Sequence, residues 1–143
     1  MMFAIKAELQ DPSAPLFVFT QQKTMYGGKR IAKGDRIFVF ASKNKGEMEA
    51  ESGVGLVAHG VVSMAVASPR LANVARQTPR VSINVQPSAW AQRHLGRSDL
   101  RPFSNWHDGR PETELNFKFY RQATDKIVGI SDPTGAWLLE FFD

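Results

Sequence analysis

Two stretches of this chain concentrate side chains suited to a polyanion. Between Lys23 and Arg36 stand five cations (Lys23, Lys29, Arg30, Lys33, Arg36) and one acid, Asp35. They surround Tyr26-Gly27-Gly28, where glycine lets backbone approach a phosphate, cations neutralise it and an aromatic ring stacks on a base. Between Arg70 and Arg101 six arginines (Arg70, Arg76, Arg80, Arg93, Arg97, Arg101) face one acid, Asp99. Arginine presents a planar fork that takes phosphate oxygens two at a time, which lysine does not. Trp90 and Trp106 lie in polar, loop-like surroundings where an indole is available to stack on or enclose an extruded base. Each feature has a plainer reading as well: a solvated basic loop, a solvated arginine face, and tryptophans packed in the core, the commoner role of a single Trp.

Other chemistry is thinly represented. His59 falls inside an apolar run and reads as a hydrogen-bonded core or edge histidine, and His94 and His107 have no partner at metal-ligand spacing. His107-Asp108 is a pair in which a carboxylate orients an imidazole base, and Glu47, Glu49 and Glu51 offer carboxylates, but no nucleophile motif accompanies them. Solvated loop acids are the simpler account. The chain has no cysteine, which removes disulfides, thiolate nucleophiles, iron–sulfur clusters and the usual structural zinc sites together. It contains no P-loop, dinucleotide fingerprint, His-Glu-x-x-His or Gly-x-Ser-x-Gly. Neither a cofactor nor a metal is therefore expected.

Eighteen Lys and Arg against fourteen Asp and Glu leave a net charge of +4, and the pI is near 9.6, a balance that favours polyanionic partners. The 143 residues suit one domain, 1–143, with one core. No stretch approaches a membrane span, and Lys6 and Glu8 interrupt the first apolar run where a signal peptide needs none. A soluble cytoplasmic domain with no membrane partner is the expectation.

The elements that must position these side chains are mostly strands. Phe3, Ile5, Ala7 and Leu9 alternate with polar or small residues until Asp11-Pro12-Ser13 ends the pattern. Leu16 to Phe19 is a short apolar run leading into a loop over 21–34 with one helical turn. After the Gly34-Asp35 turn, Arg36 to Ser42 is apolar on both faces and reads as a central strand. Val54 to Ala67 reads as one long bent strand or a hairpin, with a bulge at Gly60. Arg70 to Gln77 has helical spacing between Pro69 and Pro79, Val81 to Gln86 alternates as a strand, and Ser88 to Leu95 suits a short helix. Residues 96–114 read as a long loop with a turn at Trp106-His107-Asp108-Gly109, followed by strands at 117–122 and 127–130. Asp132-Pro133 opens a closing helix whose apolar face is Trp137, Leu138, Phe141 and Phe142. The predicted class is α+β, a small barrel of five to seven mixed or antiparallel strands flanked by short helices.

The run Lys33-Gly34-Asp35-Arg36-Ile37-Phe38-Val39-Phe40-Ala41-Ser42, then Gly55-Leu56-Val57-Ala58-His59-Gly60-Val61-Val62, resembles the PUA-like superfamily, its EVE and ASCH domains above all. Ile130-Ser131 before a closing helix is similar too. The resemblance implies a small β-barrel that binds RNA or reads modified bases in DNA, with hydrolases or nucleases among its relatives. Ser42 and Asn44 fall where EVE domains carry "His-Ser-Asn" lining a base pocket, with Ala41 in place of the His. Tyr26-Gly27-Gly28-Lys29-Arg30 resembles the EVE-type "Trp-x-Gly-Val-Arg-Asn". Lys23-Thr24 lies where ASCH domains carry "Gly-x-Lys-Thr", without the Glu-x-Arg that follows there.

Two functions from different classes therefore stand beside a bland third. The first is a nucleic-acid-binding module that reads a modified base in RNA or DNA through Lys23, Tyr26, Lys29, Arg30, Lys33, Ser42, Asn44, Trp90, Arg93, Arg97 and Trp106. The second is an ASCH-like hydrolase, a ribonuclease or an amidohydrolase on a modified nucleoside, using Lys23, Thr24 and a carboxylate from Glu47 to Glu51. The third is a protein-interaction or structural domain whose basic surface only maintains solubility.

Overall fold

The structure is a computed structural model that describes residues 2–42, 55–75, 77–120 and 126–143. Six strands close into a barrel: β1 (Met2–Ala7), β2 (Phe17–Met25), β3 (Arg36–Ala41), β4 (Gly55–Ala67), β5 (Arg80–Trp90) and β6 (Ile127–Ile130). Their order around the barrel is β1-β3-β4-β5-β2-β6. β1 runs parallel to β3, β2 runs parallel to β6, and the other pairs are antiparallel. Three helices flank it: α1 (Arg97–Leu100), α2 (Pro111–Leu115), continued by a π-helical turn at Asn116–Tyr120, and α3 (Asp132–Leu139). Among the described residues no helix is long and apolar enough to cross a membrane.

Strand alternation divides the apolar residues between two cores. Phe3, Ile5, Ile37, Val39, Ala58, Ile83, Val85 and Ile127 point into the barrel and fill it. Ala4, Phe38, Phe40, Val128 and Ile130 point outward and are buried beneath Leu100, Leu115, Phe119, Leu138 and Phe141. β3 is apolar on both faces because the barrel covers one and the helices cover the other. Each fully buried Phe there contributes about 2–3 kcal/mol of transfer free energy.

Several segments depart from the sequence reading, each for a local reason. From the apolar run at 16–19 β2 continues to Met25, where a loop was expected, because a register shift between Phe19 and Gln22, with Gln21 at φ 50°, lets the polar stretch rejoin β5. Of the helix expected at 70–77, residues 70–75 form turns and bends instead. There the side-chain amide of Gln77 takes the backbone groups of Leu71 and Val74 that a helix would have paired. β5 continues through Pro87 to Trp90 where a helix was expected, since Pro87 sits opposite Gly60 at a bulge and needs no ladder bond. A Cβ on Gly60 would run into the Gln86 carbonyl oxygen, so glycine is required at that bulge. The expected loop at 96–114 contains α1 and the start of α2. The apparent strand from Phe117 is a π-helical turn up to Tyr120, and it buries Asn116 and Phe119. Ser131, not Asp132, caps α3, accepting the Thr134 amide at 3.3 Å.

Candidate nucleic-acid interface

Because of the pairing pattern, β2, β4 and β6 end where β1, β3 and β5 begin. Three connections therefore meet at one end of the barrel: β2 to β3, β4 to β5, and β6 to α3.

The β2–β3 connection carries the basic turn. Tyr26 at φ 53° and Gly27 at φ 83° reverse the chain as it leaves β2, and Gly28–Arg30 forms one 3-10 turn. That turn lies directly on β6: a Cβ on Gly28 would collide with the Ile127 carbonyl oxygen, and the Gly129 amide donates to the Tyr26 carbonyl at 3.2 Å. A second turn, with Gly34 at φ 96°, is closed by the Asp35 carboxylate accepting from the Ala32 amide at 2.8 Å. Lys29, Arg30 and Lys33 are left exposed on these turns. The Tyr26 ring is 40% exposed, with the Lys118 Nζ 5.0 Å from its centre.

The β4–β5 connection stands beside this turn and encloses a cleft of about 640 Å³ against Gln21 and Lys23 of β2. Lys23 pairs with Arg80 across the strands. Ser68 donates its amide to the Arg80 carbonyl at 2.9 Å, and buried Thr24 donates its hydroxyl to the Pro79 carbonyl at 2.7 Å. The hydroxyl proton of Thr24 thus ties the loop to the barrel. Lys23, Arg70 and Arg80 line the cleft, and among the described residues no carboxylate does.

The remaining candidates are distributed elsewhere. Ser42, whose amide donates to the Ala7 carbonyl at 2.9 Å, and Trp90, edge-on to Phe17 at 5.9 Å, belong to the opposite end of the barrel. Arg93 donates to the Glu140 carbonyl at 2.7 Å and stacks on Phe141, and Arg97 is exposed at the start of α1. Trp106 is 53% exposed and stands edge-on to Phe117 at 4.8 Å, next in sequence to the Lys118 that meets Tyr26. Asn44, Arg76 and the acids Glu47, Glu49 and Glu51 lie outside the described residues. Thus the structure brings Lys23, Tyr26, Lys29, Arg30 and Lys33 to one end and places Ser42 and Trp90 at the other.

Asp108 and His59 are both engaged by neighbouring groups. Asp108 is held below the usual carboxylate range by the Arg110 amide and the Thr113 hydroxyl, so it orients the start of α2 rather than His107. Burial, then the neighbouring Arg36 guanidinium, keeps His59 below its ordinary value and neutral. No cluster of three or more His, Asp or Glu able to hold a metal occurs among the described residues.

No protein-family model matches the sequence, and no curated protein does. Solved structures do. The DUF55 domain of human thymocyte nuclear protein 1 superposes with a TM-score of 0.62 at 12% identity, covering 100% of this chain and 99% of that one. Human THYN1 in complex with DNA containing 5-methylcytosine gives 0.62 at 14% identity over 99% and 97%. A protein from Pseudomonas putida gives 0.61 at 11% identity over the whole of both chains. The fold is PUA-like. At these identities the likeness is one of architecture.

Within that PUA-like frame, Arg70 and Arg80 of the six-arginine stretch join the basic end, and with them Leu71, Val74 and Lys118, which the sequence did not single out for a site. An acid-free segment bracketed by Pro69 and Pro79 was the available signal for Leu71 and Val74. Lys118 had none, since only the packing of the π-helical turn on the barrel brings it to Tyr26.

Proposed function

We propose that this protein is a nucleic-acid-binding domain that lays a strand across the basic end of its barrel and tests one base there for modification. The observation that carries this reading is convergence: Lys29, Arg30 and Lys33 on one connection and Lys23, Arg70 and Arg80 around the next occupy the same end of the barrel. Phosphate contacts from such a patch supply affinity, and exposed Tyr26 and Trp106 supply faces on which a base stacks. The complex of human THYN1 with 5-methylcytosine DNA supports a modified base in DNA as the first ligand to try. The hydrolase reading draws its carboxylate from Glu47 to Glu51, which lie outside the described residues, and among the described residues lining the cleft none is an acid.

The test is fluorescence anisotropy with labelled single- and double-stranded DNA and RNA, plain and base-modified, at two salt concentrations, with each sample checked for cleavage. Binding should weaken steeply with salt, by a slope of about −0.7 to −0.9 per phosphate neutralised. Lys29→Glu with Arg30→Glu should lower both affinity and slope on every sequence. Absence of binding to all four polymers would overturn the proposal, and turnover would move it to the hydrolase class.

A further inference from the structure

The cleft beside the basic turn has features that a continuous strand does not require. Three cations line it, two of them arginines, and the segment from Ser68 to Arg80 contains no acid to balance them. Each arginine is fixed by one backbone bond: Arg80 Nη1 to the Gln21 carbonyl at 3.0 Å, and Arg70 Nη2 to the Ala75 carbonyl at 3.3 Å. The rest of each guanidinium fork remains to meet a planar or tetrahedral anion. Lys23, the cross-strand partner of Arg80, is half-buried. Like charges gathered on one surface repel, and an anion seated among them relieves that repulsion.

The cleft also has an apolar surface. Leu71 and Val74 are 64% and 43% exposed at its rim, large aliphatic side chains left in water. Their loop is nevertheless firmly built, because Gln77 accepts the Leu71 amide at 2.9 Å and donates to the Leu71 and Val74 carbonyls at 2.7 and 2.8 Å. A surface held in place before binding loses little entropy on binding. Its volume falls within the ~300–1,000 Å³ of small-molecule sites.

We infer that this cleft takes one nucleotide bearing a terminal phosphate, the phosphomonoester against Lys23, Arg70 and Arg80 and the nucleoside face on Leu71 and Val74. An internal phosphodiester carries a single negative charge, whereas a phosphomonoester approaches two at neutral pH. Three cations suit the second better. The inference rests on the nucleic-acid reading for its polymer, but the site itself takes a nucleotide unit.

Oligonucleotides of one sequence carrying a 5′-phosphate, a 3′-phosphate or hydroxyl ends should be compared by anisotropy, and a nucleoside monophosphate against its nucleoside by calorimetry. One phosphorylated end should bind about tenfold or more tightly than hydroxyl ends, the 5′ and 3′ arms showing which, and the monophosphate should bind where the nucleoside does not. Arg70→Met and Leu71→Asp, both at exposed positions, should each abolish the preference. Lys29→Glu with Arg30→Glu should weaken all oligonucleotides alike and keep it. Equal affinity for all three ends, with salt-sensitive binding intact, would overturn the inference and leave the nucleic-acid reading standing. Monophosphate binding without any oligonucleotide binding would overturn that reading and keep the site.

Discussion

Lys118 and Glu114 form an ion pair one helical turn apart, Nζ to Oε2 at 3.0 Å, and it joins three parts of the molecule. Lys118 also donates to the Gly129 carbonyl of β6 at 2.6 Å and lies over the Tyr26 ring. Glu114 accepts the Ser131 amide at 2.9 Å, the Ser131 hydroxyl at 2.6 Å and the Thr134 hydroxyl at 2.8 Å, anchoring the start of α3. The pair thus ties the flanking helices to the barrel end that carries the basic turn.

Burial alone would raise the Glu114 carboxyl, but bonds from Ser131, Lys118 and Thr134 outweigh it and hold the group below the usual range. A carboxylate depressed in the folded state stabilises above its unfolded value of about 4.3, and that contribution is lost as pH falls through the lower folded value. Glu114→Gln should therefore cost about 2 kcal/mol in urea unfolding near neutral pH, with the difference from the wild type shrinking below about pH 4. A constant difference down to about pH 2 would assign the loss to shape rather than charge.

His59 stands between Arg36, Phe38 and Phe142, with the Phe142 ring edge-on at 4.5 Å. Its imidazole should titrate by NMR below the ordinary histidine value of about 6.5. A histidine depressed in this way withdraws stability as pH falls below its unfolded value, because the unfolded chain takes the proton first. Arg36→Met should raise the His59 value only in part, since burial is the larger cause.

Tyr26 separates fold from function. Its φ of 53° is unfavourable for a tyrosine and tolerable for asparagine. Tyr26→Asn should leave stability within about 1 kcal/mol, losing the Lys118 contact and relieving the backbone. Nucleic-acid affinity should fall by about 1–3 kcal/mol if the ring stacks on a base. Unchanged binding in a folded variant would remove Tyr26 from the interface.

Trp106 tests the other aromatic face. Its edge-on contact with Phe117 leaves half the indole in water, so Trp106→Ala should cost about 1 kcal/mol of stability. A binding loss of about 1–3 kcal/mol beyond this, measured by anisotropy on a folded variant, would place a base on the ring.

The local chemistry of the basic turn was legible without coordinates. Lys33-Gly34-Asp35 forms the turn its residue types require, with glycine at positive φ and the aspartate closing it, and the two-sided apolar pattern of β3 foretold a strand covered on both faces. Phe117 to Tyr120 misled because aromatic residues alternating with polar ones over a few positions suit a strand or a helix equally, and burial of Asn116 and Phe119 against the barrel decided for the helix. Arg70 to Gln77 misled because side-chain capture of backbone by Gln77 leaves no trace in periodicity.

Residue types and short-range spacing determined which side chains carry charge, which strands are two-sided and where the chain turns, since these depend on neighbours a few positions apart. Which of those side chains share a surface depended on barrel closure in the order β1-β3-β4-β5-β2-β6. That order sets Lys23 beside Arg80 and sends Ser42 and Trp90 to the far end. Closure is governed by pairing between strands tens of residues apart, and only the packing of both cores selects it.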